Sequence, residues 1–181
     1  GLLRHIDRER RNALAGKPAR IRIKVNSMVD EQIIDSLYRA SQAGVQVEVW
    51  VRGICALKPG VEGMSENITV RSVLGRYLEH SRIFAFANDG DPQVFIGSAD
   101  MMHRNLDRRV EALVRVVAPD QLKELEDLFT LAMSDEISAW RLGPEGAWTR
   151  RSTDANGAVL ADIQDKTMAT IQRRRRPRAV R

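Results

Sequence analysis

The 181-residue chain holds a single cysteine, Cys55. One thiol cannot close an intrachain disulfide, which excludes the disulfide-stapled secreted domains and points to a reducing compartment. Long apolar runs are absent as well. None approaches the ~20 residues of a membrane-spanning helix, and no signal sequence precedes the first element. The histidines are three and scattered, at His5, His80 and His103, so with one cysteine they do not compose a zinc site. The Gly-x-x-x-x-Gly-Lys-Ser/Thr phosphate loop is missing, so any handling of ATP has to be of another kind. No internal repeat is visible. The chain opens on Gly1, inside a helical pattern and without Met, which is the expectation for a piece of a longer polypeptide.

What is present is the composition of an ordinary globular protein, 43% hydrophobic and 29% charged. A chain of this length can bury a full core. The sequence pI of 9.9 suggests a nucleic-acid partner until the charges are located. Residues 141–181 carry ten Lys/Arg against four Asp/Glu, a net of +6, and residues 1–140 carry nineteen against twenty, a net of −1. The basicity belongs to the tail, so the pI does not describe a steering field over the core.

Along the chain, Leu2, Leu3, Ile6, Ala13 and Leu14 space an apolar face through a basic helix that stops near Gly16-Lys17-Pro18. Ile21, Ile23 and Val25 alternate as a strand. Asp30 stands as an N-cap before Ile33, Ile34 and Leu37, and Gly44 closes that helix. Val45, Val47, Val49 and Val51 alternate again, which predicts a parallel βαβ unit. Residues 52–66 read as a long loop at a strand end, the usual place for chemistry in α/β folds. Strands are expected over 68–74, 82–87, 93–96 and 110–117, the middle two flanking a turn at Asn88-Asp89-Gly90-Asp91. Pro119 opens a helix with Leu122, Leu125, Leu128, Phe129 and Ala132 on its apolar face. Gly143-Pro144-Glu145-Gly146 marks a boundary, dividing a domain at 1–142 from a basic extension at 143–181, helical over 158–173 or disordered.

Chemistry concentrates in three runs. The first, Arg76-Tyr77-Leu78-Glu79-His80-Ser81-Arg82-Ile83-Phe84, sets a histidine at the mouth of a strand. An imidazole titrates near neutrality, so it can donate a proton to a leaving phosphate or carry a phosphoryl group, although a lone histidine of this kind is more often structural. The second, Val51-Arg52-Gly53-Ile54-Cys55-Ala56-Leu57-Lys58-Pro59-Gly60, puts Arg52 directly after a strand. Guanidinium binds phosphate oxygens in a planar, two-pronged fashion. The third runs from Ile96 through Gly97-Ser98-Ala99-Asp100 to Asn105-Leu106-Asp107-Arg108-Arg109-Val110-Glu111. A Gly-Ser turn can offer backbone N–H groups to an anion. If 110–117 and its approach are extended, Arg109 and Glu111 share a face, and Glu111 serves the site or acts as an ion-pair partner.

Together the three runs resemble the C-terminal catalytic domain of bacterial polyphosphate kinases of the histidine-phosphorylating type, in that family's order and spacing, over residues 1–142. The resemblance implies a phospholipase D-like α/β fold, a mixed sheet flanked by helices. It implies a part in reversible transfer of the terminal phosphate of ATP to polyphosphate, through a phosphohistidine formed in a preceding domain that this chain lacks. It assigns His80 a catalytic role, and Arg52, Arg109, Glu111, Ser98 and Asp100 roles in holding phosphate or ATP. It further implies ATP/ADP with Mg2+ whose protein ligands are not identified, the preceding domains of the same polypeptide as partners, a homo-oligomer, and a cytoplasmic setting with membrane association as the alternative. The phospholipase D pattern His-x-Lys-x-x-x-x-Asp is not met, because Arg82 and Ala87 occupy the lysine and aspartate positions and the later turn ends in Asp100. Those departures agree with the kinase branch. Two rivals stand beside it: a homodimeric phosphodiesterase or nuclease, and a non-catalytic polyanion-binding module using the basic tail.

Overall fold

The computed structural model describes residues 1–103 and 110–175. Among these residues eight strands, β1 (Arg20–Val25), β2 (Gln46–Val51), β3 (Ile68–Ser72), β4 (Arg82–Phe86), β5 (Gln93–Gly97), β6 (Leu113–Val116), β7 (Ala139–Leu142) and β8 (Trp148–Arg151), form one mixed sheet in the order β6-β5-β4-β1-β2-β3-β7-β8. The centre is the expected βαβ unit: β1 (Arg20–Val25), α2 (Glu31–Gln42) and β2 (Gln46–Val51), with β1 and β2 parallel from Arg20↔Gln46 to Val25↔Val51. The Asp30 carboxylate caps α2 by accepting from the Ile33 N–H at 3.0 Å, and Gly44 ends it at φ +90°, a conformation that disfavours a Cβ. β3 (Ile68–Ser72) adds in parallel to β2. β4 (Arg82–Phe86) and β5 (Gln93–Gly97) form an antiparallel pair around the predicted turn, where Asn88 and Asp89 take positive φ.

Helices cover both faces. α1 (Leu2–Leu14) and α2 bury Leu2, Ile6, Ile33, Ile34 and Leu37 against Ile21, Ile23, Val47 and Val49. On the other face, α3 (Pro119–Ala132) and α4 (Ile163–Arg175) contribute Phe129, Ala132 and Ile163 to a second core with Trp50, Val73, Ile83 and Val94. β1 is covered on both sides, so its second face, Arg22 and Lys24, is also buried. Arg22 meets this by pairing with Glu48 and Glu126 and donating to Thr130 Oγ1 at 3.1 Å.

Several expectations change. The strand expected over 110–117 is shorter, β6 (Leu113–Val116), and among the described residues it lies at the sheet edge, paired with β5. Glu111 therefore lies before it; Arg109, and with it the expectation that Arg109 and Glu111 share a face, lies outside the described residues. The division at 142/143 falls inside a hairpin. β7 (Ala139–Leu142) pairs with β8 (Trp148–Arg151) from Ala139↔Arg151 to Leu142↔Trp148, and Gly143-Pro144-Glu145-Gly146 is its turn, with Gly146 at φ +83°. α4 starts five residues later than the expected 158, at Ile163, where the Asp162 carboxylate accepts from the Gln164 N–H at 2.6 Å as an N-cap.

Candidate functional site

The C-terminal ends of β1 and β2 and the turns leaving β3 and β5 meet at one end of the sheet. Backbone bonds sew them together: Gly53 N–H to Asn26 C=O (2.9 Å), Met28 N–H to Ile54 C=O (2.9 Å) and Met101 N–H to Ser27 C=O (3.1 Å). A Cβ on Gly53 would press on the Asn26 carbonyl at 3.2 Å, which accounts for glycine after Arg52. Gly97 is tighter still, since a Cβ there would collide with the Ala112 carbonyl across the β5–β6 pair.

His80 is exposed and sits just before β4. Arg82 Nη1 lies 2.7 Å from its Nδ1 and donates to its carbonyl at 2.8 Å. A guanidinium only donates, so this contact puts the lone pair on Nδ1 and the ring proton on Nε2. Arg82 is itself held by Asp100, with Nη2 to Oδ2 at 3.0 Å and Nε to Oδ1 at 3.3 Å. Asp100 Oδ1 also accepts from the Asn26 N–H at 2.7 Å. Burial works to raise the Asp100 carboxyl, but the Arg82 guanidinium and the Asn26 and Ser27 amides outweigh it and hold it below the usual carboxylate range.

Arg52 Nη1 donates to the Glu79 carbonyl at 3.1 Å, which brings it against the residue preceding His80. Beneath them lies Lys24, only 2% exposed. Its ammonium pairs with Glu79 Oε2 at 3.0 Å, donates to Ser81 Oγ at 2.8 Å and sits 4.4 Å from the centre of the Trp50 ring. Burial lowers the Lys24 pKa; Glu79 opposes this, and the Arg82 and Arg52 charges add to it. Among the described residues the site thus gathers the cations Arg52, Arg82 and Lys24; the Asp100 carboxylate holds Arg82, the Glu79 carboxylate holds Lys24, and the Glu79 carbonyl holds Arg52.

Ser98 serves differently from Asp100. Its hydroxyl donates to the Glu111 carboxylate and accepts from the Ala112 N–H at 3.3 Å, which fastens the start of β6 to the end of β5. Gly97 pairs with both Arg82 and Leu113, so the Ser98–Glu111 pair stands at the same end of the sheet as Arg82. His103 pairs with the Asp30 cap at 3.2 Å. Cys55 is no nucleophile candidate, because burial pushes its thiol up to about 11.

Four participants are not among the site residues expected from the sequence. Arg82 entered as the residue at the lysine position after His80, in agreement with the kinase branch, but without a role of its own. Lys24 carries a signal, a charged residue alternating with Ile21, Ile23 and Val25 in a strand that has to be covered on both faces. Glu79 lies within the histidine run. Gln164, whose Nε2 donates to Glu79 Oε1 at 2.8 Å, has no signal at all.

Comparison with known proteins is consistent on family. Residues 1–162 match the model of the polyphosphate kinase C-terminal domain 2. The chain is 61% identical over 175 residues to the polyphosphate kinase of Streptomyces coelicolor, covering 97% of this chain and 24% of that protein. It is 51% identical over 177 residues to that of Mycobacterium avium, covering 98% and 23%. The crystal structure of polyphosphate kinase from Porphyromonas gingivalis superposes with a TM-score of 0.87 at 35% identity, over 94% of this chain and 26% of that one. The chain belongs to the polyphosphate kinase family, as its C-terminal domain 2, and spans about a quarter of the length of the curated relatives it matches.

Proposed function

We propose that this domain supplies the cationic half of a phosphoryl-transfer site in an ATP–polyphosphate phosphotransferase. The observation that carries the reading is the Asp100–Arg82–His80 chain, which fixes the imidazole with its Nε2 proton outward, one residue from where Arg52 is anchored. In the reaction, the bond between the β and γ phosphoryl groups of ATP breaks as a histidine nitrogen of a preceding domain takes the phosphoryl, and ADP leaves. The terminal oxygen of polyphosphate then takes the phosphoryl and the P–N bond breaks; the reverse sequence makes ATP. Negative charge spreads over the transferred group's oxygens, so positioned donors lower the barrier. The Nε2–H of His80 and the forked N–H groups of Arg52 are suited to those oxygens. Neutral at Nδ1 and protonated at Nε2, His80 acts as a hydrogen-bond donor to developing charge. Arg109 and Glu111 keep the nucleotide-binding roles implied by the resemblance.

Among the described residues, no group of three or more His, Cys, Asp and Glu side chains is arranged to hold a metal ion. Magnesium would arrive with ATP as part of the substrate. No helix among the described residues is long and apolar enough to cross a membrane. The reading places a homo-oligomeric enzyme in the cytoplasm, where its nucleotide is. The test is His80→Ala in the longer polypeptide carrying this domain, assayed with labelled ATP and polyphosphate. A fall of about 100-fold or more in turnover is expected; a folded variant at the wild-type rate removes His80 from the mechanism.

A further inference from the structure

Residues 77–81 carry no helix or strand of their own. A side chain on such a segment keeps its place only if the backbone is fixed from outside. Gln164, in the first turn of α4 and 7% exposed, does this. Its Oε1 accepts from the Tyr77 N–H at 2.8 Å, and its Nε2 donates to the Tyr77 C=O at 2.7 Å. The amide thus meets Tyr77 as a neighbouring strand would, through both backbone groups. The same Nε2 donates to Glu79 Oε1 at 2.8 Å. The other Glu79 oxygen holds the Lys24 ammonium, and its carbonyl holds Arg52. Three elements therefore converge on the residue immediately before His80.

Gly75 completes the seat. A Cβ at that position would overlap the Gln164 amide, so any residue larger than glycine would push the amide out of its place. Chemistry selects the amide too. A carboxylate at 164 would lose both donated bonds and face the Glu79 carboxylate.

We propose that Gln164 is a positioning residue for His80, which makes α4 part of the catalytic apparatus although it lies beyond residues 1–162 that match the family model. The inference rests on the phosphotransferase reading above. Gln164 is buried and acts through Tyr77 and Glu79. It sets where the imidazole and the Arg52 guanidinium stand, and misplacement by an ångström at such a site is costly.

The experiment is a kinetic cycle in the longer polypeptide, with ATP and polyphosphate as the probes. Gln164→Ala is expected to lower kcat by about tenfold and to move KM for ATP by less than about twofold. Gly75→Ala, which displaces the amide without removing it, is expected to give the same split. In the Gln164→Ala background the added methyl finds space, so Gly75→Ala should cost nothing more. If Gln164→Ala does not fold, Gln164→Glu, which keeps the volume and the bond from the Tyr77 N–H, carries the test with the same split. Unchanged kcat in the folded variants, or additive losses in the cycle, overturns the clamp. A wild type that makes no polyphosphate instead sinks the functional reading on which it rests.

Discussion

Arg82 grips Asp100 with two hydrogen bonds, Nη2 to Oδ2 at 3.0 Å and Nε to Oδ1 at 3.3 Å, and presents its remaining nitrogen to the His80 imidazole at 2.7 Å. The guanidinium is therefore spent inward. It orients the ring and cannot swing out to a ligand without abandoning a buried carboxylate. This separates Arg82 from Arg52: Arg82 builds the site, while Arg52 is tied among the described residues by one side-chain bond, to the Glu79 carbonyl.

Asp100→Asn should loosen this arrangement, because the new amide turns an N–H group toward Arg82. The folded-state pKa of Asp100 is depressed below its unfolded value, so its contribution to stability is full above the unfolded value, roughly 3.9, and is lost as pH falls through the folded one. Thermal unfolding of the wild type and Asp100→Asn should differ most at neutral pH and converge in acid. A difference that stays constant down to the acid limit would show that the carboxylate charge is not what Arg82 uses.

Arg52→Lys keeps the charge and loses the planar fork. The expected loss is about 1–3 kcal/mol of transition-state stabilisation, the scale of a charged hydrogen bond. Steady-state kinetics of the longer polypeptide decides it, and an unchanged kcat/KM would leave Arg52 as a loop residue that only anchors Glu79.

Lys24→Met leaves the Glu79 carboxylate, 18% exposed, without the ammonium that pairs with Oε2, while Oε1 keeps its bond from the Gln164 amide. Removing one member of a buried pair typically costs about 3–5 kcal/mol, and the partial exposure of Glu79 puts this case toward or below the lower end. Lys24→Met/Glu79→Gln should recover part of that loss, because no charge is then stranded. Chemical denaturation of the four proteins gives the coupling; purely additive effects would mean that the pair contributes nothing jointly.

Truncation after Leu142 should abolish cooperative unfolding. It deletes β8, exposes β7, and removes Ile163, which is 2% exposed in the second core. Truncation after Arg175 removes Arg176, Arg178 and Arg181, and should leave the fold while weakening polyphosphate binding more at low salt than at moderate salt. Circular dichroism and a salt series of binding curves check the two halves. A cooperative fold in the chain ending at Leu142 would restore the boundary expected at the Gly-Pro-Glu-Gly turn.

The local pattern of the sequence was enough for the βαβ centre, the Asp30 cap, the Gly44 stop, the 88–91 turn and the helix opened by Pro119, since each depends on residues within a few positions of one another. His80 and Arg52 were legible as candidates because strand ends and residue type announce them. β7 and β8 were not. Each is four residues long and includes arginine, too short a run for alternation to show. The clamp on the site was invisible for a different reason: Arg82 and Asp100 are 18 residues apart, Lys24 and Ser81 57, and Tyr77 and Gln164 87. Periodicity tells which face of an element seeks cover, but not which distant side chain provides it. Only closing the sheet over α3 and α4 buried Lys24, forced it to find Glu79, and brought a glutamine amide to the loop that carries His80.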